Sequence, residues 1–128
     1  LDTIMPGLAA NDFGDSIRFR AATAAEDERN LDLMHFDLNL YELYVKGYLE
    51  ETKDVLTEEE IKSLPWGARL MTLECGIRFL TDYLQGDTNF KTEYPEHNLV
   101  RARTQFRLVH EMEQNFDQMQ EIIRKYMK

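Results

Sequence analysis

The chain has 128 residues, the length of one domain rather than two. Its hydrophobic share of 43% supplies a real core and argues against a disordered tail. With 15 basic and 24 acidic residues the net charge is −9, a field that disfavours nucleic acid and anionic membrane surfaces, so neither is expected as a partner.

The opening, Leu1-Asp2-Thr3, has no initiator Met and reads as a piece of something larger. Residues 1–11 suggest the end of a strand and a loop turning at Pro6-Gly7. A short helix is expected from Asp12 to about Phe19, capped by Asn11 or Asp12. The polar, Ala-rich stretch 20–36 reads as a loop. The next helix is expected over 38–53, with Asn39 and Glu42 as a capping box and Tyr41, Val45, Tyr48 and Leu49 as its apolar stripe. Thr57-Glu58-Glu59-Glu60 is a cleaner box and opens a helix of one or two turns.

Pro65 then suits the first position of a helix over 65–84. Its apolar residues Trp66, Leu70, Leu73, Ile77, Leu80 and Leu84 follow at spacings of 4, 3, 4, 3 and 4, beside a second file of Met71, Cys75 and Phe79. Such a helix is expected to be covered on most sides and central to the fold. Gly86 marks its end. The last helix is expected to run unbroken from about Pro95 to Met127, roughly 50 Å at the usual rise per residue. Helical periodicity dominates after residue 12, so the fold class is all-α, about five helices with a long C-terminal helix. No run of about 18 apolar residues is present to span a membrane. The lone Cys75 cannot form an internal disulfide, which fits a reducing, cytoplasmic compartment.

Four groups of residues could carry chemistry. Asp2, Asp12 and Asp15 offer hard oxygens to a divalent cation, although Asp12 or Asp15 could equally cap a helix start. Arg78 lies between Glu74 and Asp82, four residues either side, which suits an ion-pair ladder. The same planar fork would also suit a substrate oxygen or phosphate. Gly76 beside it hints at a close backbone approach. His35, His97 and His110 do not pair at metal-ligand spacing, and the last two are expected on the face of the long helix. Arg101, Arg103 and Arg107 are read as partners for the acidic first half. A nucleophile arrangement and a Gly-rich phosphate loop are both missing from the sequence.

Three stretches carry a resemblance. Leu1-Asp2-Thr3-Ile4-Met5-Pro6-Gly7 with Asp12-Phe13-Gly14-Asp15-Ser16-Ile17-Arg18 resembles the aminoglycoside phosphotransferase/choline kinase-like superfamily. Glu74-Cys75-Gly76-Ile77-Arg78-Phe79-Leu80-Thr81-Asp82-Tyr83 and Tyr94-Pro95-Glu96-His97-Asn98-Leu99-Val100-Arg101 resemble, more specifically, its sugar kinases of the N-acetylhexosamine 1-kinase type. The likeness covers essentially all 128 residues.

That resemblance implies the helical part of the C-lobe of a protein-kinase-like fold. The kinase would move the γ-phosphoryl group of ATP, with Mg²⁺, to the anomeric hydroxyl of N-acetylglucosamine or N-acetylgalactosamine. Asp2 would support the metal, and Asp12 would hold the catalytic loop. Phe19, Arg78 and Asn89 would line the sugar pocket, Asn89 as part of the bordering loop Gly86-Asp87-Thr88-Asn89-Phe90. Related sequences tend to carry an aromatic where Asn89 stands, which leaves the sugar preference open. No catalytic residue is expected within the chain, and the 128 residues alone are expected to be inactive. A dimer through surface left bare near residues 1–20 is a further expectation. The competing reading is an acidic, all-helical protein–protein interaction module without catalysis.

Overall fold

The computed structural model describes residues 7–128, and Asp2 and the expected strand end therefore lie outside the described residues. The fold is all-α. Six helices are present among the described residues: α1 (Leu8–Arg20), α2 (Leu38–Thr52), α3 (Glu58–Lys62), α4 (Leu64–Leu84), α5 (His97–Gln114) and α6 (Phe116–Met127). A 3₁₀ turn, Leu31–Leu33, lies in the loop between α1 and α2.

Helix α1 starts four residues before Asp12. Gly7 occupies its N-cap without a side-chain bond, and Asn11 and Asp12 fall inside the helix. Their capping potential goes unused because burial of Ala10, Phe13 and Ile17 fixes where the helix runs. In α2 the cap is Asp37, whose carboxylate accepts from the Asn39 and Leu40 amides, and not Asn39. The box at Thr57 forms as the sequence implies: its hydroxyl accepts from the Glu60 amide, and Glu60 accepts from the Thr57 amide. Pro65 sits in the first turn of α4.

The expected single C-terminal helix breaks at Asn115. The side-chain amide of Asn115 donates to the Glu111 carbonyl at 2.8 Å, competing for a carbonyl of the helical ladder. The bend sends α6 across α2 and α3 instead of out into solvent. Tyr41 of α2 donates to the Met119 carbonyl of α6 at 3.0 Å, and Lys125 and Tyr126 both reach Glu42 at 2.7 Å. The core there is built from large side chains, Phe13, Tyr41, Leu49, Met112, Met119 and Ile123 among them.

Helix α4 is central, but the face it buries is the opposite of the one its apolar spacing suggests. Gly67, Ala68, Thr72, Gly76, Phe79 and Asp82 face inward, against α1 and α5, while Trp66, Leu70, Ile77 and Leu84 are exposed. The cause is how closely the α1 backbone and the α5 side chains approach this face. A Cβ at Gly14 would stand 2.6 Å from the Gly67 carbonyl carbon, and one at Gly76 would stand 2.8 Å from the Phe106 ring. Only the small-residue face of α4 can enter that space. Among the described residues no helix is long and apolar enough to cross a membrane.

Candidate functional site

The close α1–α4 approach fixes two facing walls. On α1, Asn11, Asp15 and Arg18 recur at helical spacing with Asp12 beside them; on α4, Met71, Cys75, Arg78 and Phe79 do the same. Between them lies an open cavity of about 320 Å³, also lined by Phe90 from the α4–α5 loop. That volume is at the small end of ligand pockets. One wall is polar and carries both signs of charge, whereas the other is mainly apolar.

Each guanidinium is anchored from behind. Arg18 bonds Asp15 at 3.0 Å and Glu26 at 2.6 Å, with its side chain largely buried. Burial works against its charge, but the bonds to Glu26 and Asp15 outweigh it and raise its pKa above the ordinary value. Arg78 is exposed and pairs with Glu74 at 2.8 Å, so the expected ladder forms on one side only. Burial pushes the Cys75 thiol up despite nearby Arg18, which keeps it protonated and a poor nucleophile.

Asp82, the other half of the supposed ladder, does something else. It turns inward and is 1% exposed. Its carboxylate accepts from the Asn89 amide at 2.8 Å, the Phe90 amide at 3.0 Å and the Asn98 side chain at 2.8 Å. Burial favours its neutral form, but these donors and the Thr88 amide prevail and hold it below the usual carboxylate range. Asp82 thereby folds the loop that presents Phe90. The turn also uses Gly86 and Asp87, both at positive φ.

The expected site residues are only partly gathered. Asp12 and Arg78 line the cavity. Phe19 stands outside its wall, exposed, with the Arg18 guanidinium 4.4 Å from its ring centre. Asn89 contributes its backbone to Asp82, while the neighbouring Phe90 supplies an aromatic ring, packed on Phe79 at 4.8 Å. Phe90 belongs to the loop expected to border the pocket, whereas Arg18 and Asp82 form the site although neither spacing nor resemblance gave them a place in it. The helical spacing of Asn11, Asp15 and Arg18 was the available signal for Arg18.

The remaining polar candidates serve the scaffold. His97 is buried at the start of α5. Its Nδ1 accepts the Glu93 amide, which places the ring proton on Nε2 toward Asp27 at 3.1 Å. His35 lies against Glu111 at 2.9 Å. Arg107 approaches Glu111 of its own helix, and Arg101 donates to the Lys91 carbonyl and Asn98, so neither serves the acidic first half. Among the described residues no group of three His, Cys, Asp or Glu side chains could hold a metal ion. No protein-family model matches the chain.

Proposed function

We propose that these helices are the sugar-facing part of an ATP- and Mg²⁺-dependent kinase acting on the anomeric hydroxyl of N-acetylhexosamines. What supports the reading is convergence. Asp12, Arg78 and the loop after Gly86, far apart in the chain and all within the stretches that resemble such kinases, meet at one cavity. Its chemistry suits a sugar, because each hydroxyl both donates and accepts. Asp12 and Asp15 would accept, Arg18 and Arg78 would donate, and the Phe90 ring would cover an apolar sugar face. The described residues do not fit a Mg²⁺ site by themselves, so their share of the reaction is to hold and orient the acceptor, with Asp2 left to support the metal. Phosphoryl transfer itself needs a phosphate-binding loop and a base from elsewhere.

The test is an NMR titration of the chain with N-acetylglucosamine and N-acetylgalactosamine. Expected are weak, saturable shifts confined to amides 11–18, 71–79 and 86–90, weakened about tenfold by Arg78→Ala, the worth of one charge-assisted hydrogen bond. Shifts scattered over the surface, or none, would overturn the reading. The alternative, an interaction module without catalysis, draws on the apolar face of α4 left open to solvent, and it predicts no sugar response.

A further inference from the structure

Helix α4 turns a continuous apolar face away from the rest of the molecule. Trp66 is 44% exposed, Leu70 42%, Ile77 50% and Leu84 73%, with Leu73 and Leu80 half-buried between them. An apolar face running the length of a 21-residue helix is unusual on a monomer's surface. Its spacing of 4, 3, 4, 3 and 4 is that of the a and d positions of a coiled-coil seam. The series is also palindromic.

We propose that α4 pairs with α4 of a second copy of this chain, antiparallel, about a two-fold axis level with residue 75 on the helix face opposite the Cys75 side chain. The palindrome makes the face self-complementary, as an isologous contact requires. Trp66 meets Leu84 of the second copy, Leu70 meets Leu80, and Leu73 meets Ile77, so every layer is filled from both sides. Phe116 extends the seam at one end, where it packs on Trp66 at 4.7 Å. A Leu84 arriving there meets two aromatic rings.

Charge does not oppose contact at this face. The chain carries −9, yet α4 holds two arginines and two acids, Arg69, Glu74, Arg78 and Asp82, and is neutral. Two such helices can therefore meet without net repulsion between them, as α1 and α6, also neutral, could. The cavity stays open in the pair, because Met71, Cys75 and Phe79 project from the other side of the helix. The pairing is independent of the sugar reading. A single helix face lies at the low end of specific interfaces, below about 1,200 Å² in total, which points to an affinity in the micromolar range.

Sedimentation equilibrium of the chain over a range of concentrations tests the proposal. Expected is a monomer–dimer equilibrium, weakened at least tenfold by Leu70→Gln with Ile77→Gln and unchanged by Leu43→Gln, a still more exposed apolar site on α2. Circular dichroism confirms that each variant remains folded. Orientation follows from a spin label at Gln85→Cys in a Cys75→Ser background. Antiparallel pairing puts the two labels about 30 Å apart along the axis, ten residues either side of the centre. A monomer at all concentrations, a dimer indifferent to the double substitution, or labels within about 15 Å, as a parallel pair would give, would each overturn it.

Discussion

The two ends of this molecule are held together by different means. Around α2 and α6, large side chains fill the space, with Phe13, Tyr41, Met119 and Ile123 interlocked. Around α1, α4 and α5, the backbones themselves come close at Gly14 and Gly67, the Phe106 ring presses on Gly76, and a polar network centred on Asp82 ties down the connecting loop. Side-chain packing degrades by degrees when an atom is removed, whereas backbone contact admits no added atom at all. The cavity lies at the second end, where the walls are rigid.

The sharpest way to break this contrast is Gly14→Ala. The new methyl meets the backbone of Gly67, which cannot rotate away, so a loss of at least about 3 kcal/mol is expected, the upper end for overpacking. Gly47→Ala, at an open site within α2, should instead gain about 0.5–1 kcal/mol. Urea denaturation of both variants reads the difference directly. At the other end, Tyr41→Phe removes one buried hydrogen bond but little volume, and about 1 kcal/mol should be lost in the same measurement.

The smallest effects are in pH. The Asp82 carboxylate is held below its ordinary pKa, so the stability it contributes is present above about pH 3.8 and is lost as pH falls through its folded value. His35 is shifted the other way, first by its bond to Glu111. Its contribution is complete below about pH 6.5 and is lost as pH rises through the folded value. Melting temperature against pH should therefore lose part of its acid slope in Asp82→Asn, and part of the decline above neutrality in His35→Gln.

Local signals in the sequence survived folding where nothing larger competed. The Thr57 box and the Pro65 start are matters of a few adjacent residues, and both are present. Helix α4 is legible as a helix, but not its orientation, since periodicity weighs apolar area and is blind to how near two glycine-bearing backbones can come. The break at Asn115 was hidden because apolar spacing continues across it, from Met112 to Phe116 and Met119. At the cavity, Asp12 and Arg78 were found from motif and spacing. Asp82 was misread because four-residue spacing to Arg78 suggested an ion pair, while the loop that claims its carboxylate is folded only by tertiary contacts.

The loop between α1 and α2 is pinned at its base, where the Asp37 amide donates to the Ala21 carbonyl, and again further out, where Glu26 grips Arg18 and its carbonyl accepts the Thr104 hydroxyl. A residue on a peripheral excursion thus decides how much of a cavity-wall cation is left for anything entering from solvent. Exchanging that excursion would retune recognition from outside, with neither wall redesigned.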